Sequence, residues 1–423
     1  MVELDRFSSY YKLKKEDSLQ GLKPRLHRYL VERLEAEGVS AARAEQKTLE
    51  RTTETLIEAY IQEHNLAVNR LDRTRLVRDM LDELVGYGPL EGLLKDDSVS
   101  DILVNGPDEI YVERHGRRER TGLSFVDERH VLRVLQRMLA PSGRRLDESN
   151  PMVDARLPDG SRINAIIAPL ALDGPDISIR KARRERMEAA DLLSMGSLNP
   201  EMLDFLRLAV EVRCNILVSG GTGAGKTTLL NVLSQFIQND HRVILVEDAA
   251  ELQLGHPHVV RLETRPPNSE GKGEVTARDI VRNILRMRPD RIVLGEVRHV
   301  EVMDLLQAMN TGHDGSMSTL HANNSSDALA RLEMLAGFSG FKGSEETLRR
   351  MITTAIDLII HVSRVAGGRR KVTSIMELLD SRDGNYVTNE LYRYDPAADR
   401  YVRPSARPEG HKLAGRSIAG GML

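Results

Sequence analysis

Three runs of consecutive apolar residues in the second half of the chain predict buried strands. They are CNILVSG (214–220), RVILVED (242–248) and RIVLGEV (291–297), and segments long enough to form helices separate them. Near-continuous apolar runs are typical of parallel strands that helices cover on both faces. The pattern therefore predicts an α/β domain that begins near residue 200.

The first half of the chain carries two other patterns. Between residues 22 and 94 the apolar residues recur at helical spacing, which predicts three helices after a loose polar start. From residue 98 onward, short strand-like segments alternate with Gly- and Pro-containing turns, and residues 128–140 have a helical pattern, which together predict a small α+β domain. The predicted regions are a helical N-terminus (1–94), the α+β domain (95–190), the α/β domain (191–400) and a flexible tail (401–423).

Composition narrows the class of protein. The chain has 423 residues, of which 40% are hydrophobic and 29% charged, and its net charge is -3, as expected for a soluble globular protein. A single cysteine, Cys214, excludes an internal disulfide framework and a cysteine-cluster zinc site. No apolar stretch reaches the ~18 residues of a membrane span, and the N-terminus lacks the apolar core of a signal peptide. These features predict a cytoplasmic protein that meets a membrane only through partners.

A glycine-rich stretch follows the first apolar run. It reads GGTGAGKTT (220–228), matches G-x-x-x-x-G-K-[ST] and lies between an apolar run and a helical segment. In this motif the backbone N–H groups close around phosphate oxygens, the lysine reaches the β- and γ-phosphates, and the hydroxyl of the last residue binds magnesium. The predicted site for nucleotide phosphates and Mg²⁺ comprises Gly220, Gly221, Thr222, Gly223, Ala224, Gly225, Lys226, Thr227 and Thr228.

The second apolar run ends in acidic residues. Glu247 and Asp248 close the run, and Glu251 follows. A carboxylate at the end of a strand beside the P-loop strand can face the γ-phosphate and orient or deprotonate the attacking water. The alternative, which is stronger for Asp248 and Glu251, is that these acids cap a helix or lie in solvent.

The third run ends in Glu296, and two histidines follow. Glu296 either holds magnesium as a hard oxygen ligand or is an exposed acid paired with Arg298, and the pattern alone favours neither. His321 either contacts the γ-phosphate or is an ordinary core or surface histidine. His313 and His321 lie eight residues apart, a spacing that does not suit zinc.

Arginines recur between the second and third runs. Arg278, Arg282 and Arg286 are four residues apart, which predicts one stripe on a helix. Such a stripe is either a solvated face or a source of arginine fingers, which stabilise charge in phosphoryl transfer. The sequence does not choose between action within one subunit and action across to a neighbour.

Four boxes in this order resemble the secretion and pilus-assembly ATPases of the type II/type IV secretion superfamily. GGTGAGKTT, VEDAAEL, VLGEVR and TGHDGSMSTLHANN correspond to the P-loop, the Asp box, a glutamate-type Walker B and the His box. The stretches DILVNGPDEIYVER, DARLPDGSRINAIIAPL and SIRK most resemble the CpaF branch, the motors of tight-adherence (Flp/Tad) pili. The resemblance covers about residues 75–380.

This resemblance implies an α/β fold in which a RecA-like P-loop motor domain follows a PAS-like domain and an N-terminal helical region, with nucleotide bound between the two domains. ATP and Mg²⁺ are the implied cofactors. The implied side-chain roles are a catalytic glutamate (Glu247), a Walker B acid that supports magnesium (Glu296), a γ-phosphate sensor (His321), arginine fingers (Arg282, Arg286) and phosphate contacts from the PAS-like domain (Arg162, Arg180).

The resemblance also implies a homohexamer that docks on inner-membrane pilus platform proteins, at the cytoplasmic face of that membrane. The function predicted is an ATP-hydrolysing motor that powers assembly, with or without retraction, of a tight-adherence pilus. The alternative is a conjugation or other type IV secretion ATPase. A nucleic-acid translocase is less favoured because only 4% of residues are aromatic and the charge balance is slightly acidic. A non-hydrolysing scaffold is less favoured because each expected box is present.

Overall fold

The computed structural model describes residues 19–36, 46–114, 116–182, 187–267, 271–404 and 407–414. The chain forms two compact units, one ending at Arg184 and the other beginning at Glu185. Each unit has hydrophobic cores of its own. Among the described residues, no helix is both long and apolar enough to cross a membrane.

The N-terminal unit begins with the predicted helices, which pack around a small apolar core. Leu26, Leu30, Ile57 and Met80 are fully buried there. The third helix starts at a polar cap, because the Asn69 side chain accepts a hydrogen bond from a backbone N–H in the first turn. The helices described in this region are α1 (Leu19–Ala36), α2 (Gln46–Glu63), α3 (Arg70–Leu84) and, after a 3-10 turn at Gly88–Leu90, α4 (Glu91–Lys95).

An antiparallel sheet follows in the same unit. Its described strands have the order β3-β2-β1-β6-β5-β4, and the first hairpin turns at the predicted Gly106-Pro107. A helix buries one apolar face, including Val131, Val134 and Met138, in the core of this sheet. The elements are β1 (Val99–Asn105), β2 (Glu109–Arg114), β3 (Arg117–Arg120), α5 (Glu128–Leu139), β4 (Met152–Arg156), β5 (Arg162–Ile166) and β6 (Asp176–Arg180).

The second unit is built on one large sheet with helices on both faces. The described strands have the order β15-β14-β13-β12-β7-β11-β10-β8-β9, parallel from β12 to β9 and antiparallel from β12 to β15. Its strands are β7 (Ile216–Gly220), β8 (Val243–Glu247), β9 (Val259–Glu263), β10 (Arg291–Val297), β11 (Met317–His321), β12 (Leu358–Arg364), β13 (Arg370–Arg382), β14 (Asn385–Asp395) and β15 (Arg400–Val402).

Two hydrophobic clusters cover the two faces of this sheet. One contains the buried residues of the helix that follows the P-loop, and the other contains the helices after β10 and β11. The three apolar runs form the parallel strands β7, β8 and β10, as their composition predicts. The helices of this unit are α6 (Ala189–Ser194), α7 (Pro200–Glu211), α8 (Lys226–Ser234), α9 (Ala277–Ile284), α10 (Glu301–Asn310), α11 (Ser325–Phe338) and α12 (Glu345–Ala355).

Strand order places the four sequence boxes together. The strand β7 leads into the P-loop and pairs with β11 so that Gly220 lies opposite His321, while β10 lies between β11 and β8. Because these strands are parallel, their carboxyl ends meet at one edge of the sheet, where ligands bind in open α/β folds. The P-loop, Glu247, Glu296 and His321 all lie at that edge.

The region for which the sequence predicts a flexible tail has contacts with the second unit. Strand β15 starts at Arg400 and pairs with β14. Leu413 is buried, and the Lys412 ammonium lies 2.8 Å from Asp314 and 2.9 Å from Asp357. Residues 407–414 are thus held by two ion pairs and an apolar contact, and residues 415–423 lie outside the described residues.

Candidate functional site

The phosphate loop joins β7 to α8 in a backbone path that needs glycine. A Cβ on Gly220 would lie 2.3 Å from the carbonyl oxygen of Val362 on the neighbouring strand, so no larger residue fits. Gly225 caps α8 with φ at +104°, a conformation that side chains rarely adopt. The loop therefore presents backbone N–H groups and a helix N-terminus, the usual arrangement for binding phosphate.

Lys226 is held by this loop rather than by solvent. Its ammonium donates to the carbonyl oxygen of Gly221 at 3.0 Å and lies 3.3 Å from Nδ1 of His321. Burial lowers the pKa of Lys226, and the charge of Glu296 acts in the opposite direction. The carbonyl contact keeps the cation over the loop, where a phosphate oxygen is a stronger partner than a neutral carbonyl.

Glu296 lies between two basic side chains. One carboxylate oxygen accepts from Nε of Arg298 at 2.7 Å, so the pairing that the sequence left as an alternative is present. The other oxygen, Oε1, lies 2.8 Å from Nε2 of His321 but is buried without a hydrogen bond. Burial, followed by the charge of Lys226, lowers the pKa of His321, which keeps the imidazole neutral near pH 7.

Glu296 and His321 face an open cavity of about 300 Å³. Its lining includes Glu296, Arg298, His299, His321 and Arg331. The residues present fit magnesium, because an orphaned buried carboxylate oxygen on Glu296 and the hydroxyl of a P-loop threonine are hard oxygen donors. One carboxylate and several basic side chains thus line the cavity.

Position 295, immediately before the Walker B acid, requires glycine because the side chain of Glu247 occupies the adjacent space. A Cβ on Gly295 would lie 2.9 Å from Cγ of Glu247, which crosses over it from the adjacent strand. The pairing of β10 with β11 also shifts register between Leu294 and Val297, so the chain bulges where Glu296 turns toward the site. Thr319 fixes this bulge by donating from its hydroxyl to the carbonyl oxygen of Gly295 at 2.7 Å.

Glu247 is the most enclosed acid of the site. Only 4% of it is exposed, and one carboxylate oxygen accepts backbone hydrogen bonds from Glu251 at 2.9 Å and Leu252 at 2.8 Å. Burial raises the pKa of Glu247, although the two N–H groups act in the opposite direction. The side chain therefore orders the Asp-box loop, and a raised pKa brings its proton affinity closer to that of a working base.

The arginine stripe is interrupted by the end of its helix. Helix α9 ends at Ile284, so Arg286 lies beyond it and the expectation of three arginines on one helical stripe is wrong. The physical reason is Pro289, which cannot continue a helix, preceded by a residue with φ at +54°. Arg282 is on the helix, and its Nε lies 2.7 Å from the buried carboxylate of Asp304.

Arg278 shares that carboxylate, at 3.0 Å from Asp304. Arg282 is 55% exposed in its side chain, while Asp304 is 9% exposed. The acid therefore anchors both arginines at their Nε atoms while part of the Arg282 guanidinium faces solvent. A role for Arg282 or Arg286 as a finger stays a prediction.

The two arginines assigned to the PAS-like domain lie in the N-terminal unit. Arg162 on β5 and Arg180 on β6 occupy directly paired positions of the antiparallel sheet. The side chain of Arg180 is 63% exposed and lies 3.2 Å from Asp101. Their contact with phosphate stays a prediction.

Two supporting residues were not found from the sequence. Nε of Arg370 on β13 donates to the carbonyl oxygen of Gly223 in the P-loop at 3.0 Å. His361 on β12 is buried and lies 2.9 Å from the hydroxyl of Ser219, just before the loop. No local motif marks either residue, because each acts across about 140 positions of sequence through a neighbouring strand.

Several proteins with named roles resemble this chain in sequence. The family described as "Type II/IV secretion system protein" matches residues 83–398 of this chain. A putative conjugal transfer protein of Mycobacterium tuberculosis is 42% identical over 308 residues, 71% of this chain and 87% of that protein. The conjugal transfer protein TrbB of Rhizobium radiobacter is 31% identical over 320 residues, 74% of this chain and 94% of that protein.

Solved structures show the same fold. The pilus retraction motor PilT with bound ADP aligns with a TM-score of 0.52 at 22% identity, covering 69% of this chain and 82% of that one. The Legionella pneumophila ATPase DotB aligns with a TM-score of 0.50 at 22% identity, covering 69% of this chain and 79% of that one. The family match covers most of the chain, and its relatives are similar over most of their own length. The chain therefore belongs to the type II/IV secretion ATPase family.

Proposed function

We propose that this protein is a motor subunit that hydrolyses ATP and converts the loss of the γ-phosphate into movement of its N-terminal unit. The observation that carries the proposal is the meeting of Lys226, His321 and Glu296 at the carboxyl edge of the sheet, beside the phosphate loop. A cation, a neutral imidazole and a carboxylate within contact distance of one another suit a γ-phosphate and its metal ion better than a purely structural cluster.

Binding of ATP exchanges the partners that these residues now have. The Lys226 ammonium leaves the carbonyl oxygen of Gly221 for the β- and γ-phosphates. His321, which is neutral, donates one hydrogen bond to the γ-phosphate. Thr227 and Glu296 would hold Mg²⁺, which would supply positive charge beside the phosphates.

Hydrolysis requires a group that positions water. Glu247 lies at the end of β8, which is not beside the P-loop strand β7 as the sequence predicted, because β11 and β10 lie between them. Its carboxylate is fixed by the N–H groups of Glu251 and Leu252, and its pKa is raised, so it is the proposed base or water-orienting residue. A fixed carboxylate costs little reorganisation when the reaction occurs.

Charge that develops on the phosphate needs a mobile cation. Arg282 and Arg286 of a neighbouring subunit, or Arg162 and Arg180 of the N-terminal unit, are the proposed sources. Release of the γ-phosphate removes these contacts and lets the N-terminal unit swing about the predicted connector at 183–198, of which residues 183–186 lie outside the described residues. Such a hinge motion is driven by ligand contacts. A homohexameric ring with head-to-tail interfaces would pass this motion between subunits.

We propose a tight-adherence pilus as the machine that the motor drives, with pilus platform proteins at the inner membrane as partners. The support is the set of N-terminal stretches DILVNGPDEIYVER and DARLPDGSRINAIIAPL. A second candidate is a conjugation or other type IV secretion machine, which the names of the relatives at 42% and 31% identity favour. The two candidates share one motor and differ in the substrate that is moved.

A chromosomal Lys226→Ala substitution in the source organism distinguishes the pilus motor from the conjugation or secretion motor. We expect surface pili to disappear while transfer of a mobilisable plasmid is unchanged, and wild-type protein supplied in trans to restore the pili. Normal piliation combined with lost plasmid transfer would replace the first candidate with the second. The exposed Lys342→Ala variant is the matched control, since it removes a lysine far from the loop in sequence.

A further inference from the structure

Two histidines and a glutamate meet inside the N-terminal unit, and none of them belongs to the four sequence boxes. His27 lies on α1, Glu83 on α3 and His130 on α5, and one ligand atom from each lies within 4.8 Å of the other two. The rings of His27 and His130 stack with centroids 5.4 Å apart. Three elements distant in sequence thus bring nitrogen and oxygen donors to one point.

Two of these potential metal-ligand atoms are buried without a hydrogen bond. His130 is 1% exposed, and its Nε2 and the Oε2 of Glu83 have no hydrogen-bond partner although they lie 2.9 Å apart. Buried polar atoms are nearly always hydrogen-bonded, and an exception calls for an explanation such as an ion. Both atoms lie within 4.8 Å of a ligand atom of His27, and they do not form a hydrogen bond with each other.

A glycine, Gly88, lies beside these two ligand atoms, so no side chain projects toward them from that position. Gly88 has φ at +56°, and a Cβ there would lie 3.1 Å from the Glu83 carboxylate and 3.3 Å from Nε2 of His130. A side chain at this position would therefore press on both donor atoms. The glycine keeps the two ligand atoms uncovered.

We propose that His27, Glu83 and His130 bind one divalent transition metal ion, of which Zn²⁺ fits best. Two imidazoles and one carboxylate are a known three-ligand set for zinc, with water as the fourth ligand. A single carboxylate is too few for Ca²⁺ or Mg²⁺, which prefer oxygen ligands. Ligands at about 2.0–2.2 Å from a tetrahedral ion lie roughly 3.3–3.6 Å apart. The longest separation in the cluster therefore contracts by about 1.5 Å or less, and the 2.9 Å separation of His130 Nε2 and Glu83 Oε2 widens by about 0.5 Å.

Nearby groups determine the affinity of this site. The charges of Arg133 and Arg137 act on His27, and a cation there opposes a metal ion. The Arg137 guanidinium, however, is committed to the backbone carbonyl oxygens of Leu84 and Glu83. Metal on Nε2 of His130 places the ring proton on Nδ1, so the 3.4 Å contact from the N–H of Val126 is given up.

The bound ion would fasten the helical N-terminus to the α+β fold. Two ligands come from the three-helix region and one from α5, which packs on the antiparallel sheet. Arg137 already joins the same two parts by capping the end of α3. A metal ion adds a second fastener, so that its presence would set how firmly the helices follow the sheet during a motor cycle.

Zinc binding to the full-length protein without a histidine tag tests this proposal. Competition with a chromophoric chelator is expected to give one zinc ion per chain for wild type, and Co²⁺ in its place is expected to give the visible absorption of a tetrahedral site. His27→Gln and His130→Gln should each weaken binding by at least about 100-fold, since even a lost outer-shell partner costs 10–100-fold. His64→Gln, an exposed histidine of the same helical region, is the matched control and should bind as wild type does.

A second readout covers variants that fold poorly. Zinc should raise the thermal midpoint of wild type and of His64→Gln but not that of Glu83→Gln, with far-UV circular dichroism confirming that each is folded. Absence of stoichiometric binding in wild type would overturn the proposal. Equal zinc affinity in wild type and both cluster variants would overturn it too, because the ion would then be held elsewhere.

Discussion

Replacing Gly295 by alanine tests how the two acidic boxes depend on each other. The added methyl group would lie 2.9 Å from Cγ of Glu247, closer than real Cβ contacts come, and 3.5 Å from Cβ of the same residue. The φ of Gly295 is outside the range that only glycine adopts readily, so the clash is the cause of any effect. Overpacking in a filled core costs about 1–3 kcal/mol.

The consequence for activity follows from what Glu247 holds. Its carboxylate accepts from the N–H groups of Glu251 and Leu252, so a shift of the side chain moves the whole Asp-box loop. Displacement of a catalytic group by about 1 Å costs on the order of 100-fold in rate. We therefore expect Gly295→Ala to lower kcat by about that factor while ATP still binds.

Thermal unfolding followed by circular dichroism measures the loss of stability, because the chain has no tryptophan. A loss of about 1–3 kcal/mol lowers the midpoint by about 2–4 °C for each kcal/mol in a unit of this size. Gly337→Ala is the matched control, since nothing lies within 4 Å of its Cβ position on helix α11, and it should stabilise by up to about 1 kcal/mol.

A double-mutant cycle tests whether the contact with Cγ of Glu247 causes the loss of stability in Gly295→Ala. In a Glu247→Ala background the clashing Cγ is absent, so the cost of Gly295→Ala should shrink by about 1 kcal/mol or more. An equal cost in both backgrounds would show that the Glu247 side chain is not what requires glycine at position 295.

Three further changes have definite expected outcomes. Burial raises the pKa of Glu247 above its ordinary 4.5, so the stability contributed by this group is complete below pH 4.5 and is lost as pH rises through the raised pKa. Glu247→Gln should therefore raise the thermal midpoint at pH 8. As the proposed base, Glu247 should also be needed for turnover, so the same substitution should lower kcat by about 100-fold or more. Asp304→Asn removes the anchor of Arg282 at a cost of about 1 kcal/mol; if Arg282 acts on nucleotide, kcat should fall much further in Arg282→Ala than in Asp304→Asn, and equal losses would indicate a packing role. Lys412→Met should lower the free energy of unfolding by about 1.5–3 kcal/mol, because two carboxylates lose their cation; an unchanged midpoint would show that the Lys412 ion pairs do not hold residues 407–414.

The strands of the site could be predicted from the sequence wherever their buried residues are apolar. The strands β7, β8 and β10 are largely apolar runs, and each predicted box lies at the carboxyl end of its strand. Strand β11 is fully buried over most of its length yet contains Ser318 and Thr319, which hydropathy assigns to the surface. Their hydroxyls donate to the carbonyl oxygens of Leu294 and Gly295, so hydrogen bonding to the neighbouring strand permits the burial.

Features that depend on contacts between distant residues were not predictable. Nothing local in RIVLGEVR shows that Glu247 fills the space over Gly295, or that His321 lies beside the second carboxylate oxygen of Glu296. The cluster at His27 is the extreme case, because its members lie on three helices and have no common motif. Spacing identifies residues that share an element, whereas these sites are assembled by tertiary packing.

The most direct test of the central claim is steady-state release of phosphate from ATP by the purified full-length protein. Wild type and the control Lys342→Ala should hydrolyse ATP at the same rate in the presence of Mg²⁺. Lys226→Ala, which removes the cation held over the P-loop at 3.0 Å from Gly221, should lower the rate by about 100-fold or more. Hydrolysis by Lys226→Ala at the wild-type rate would contradict the claim, because the activity would then arise outside the phosphate loop.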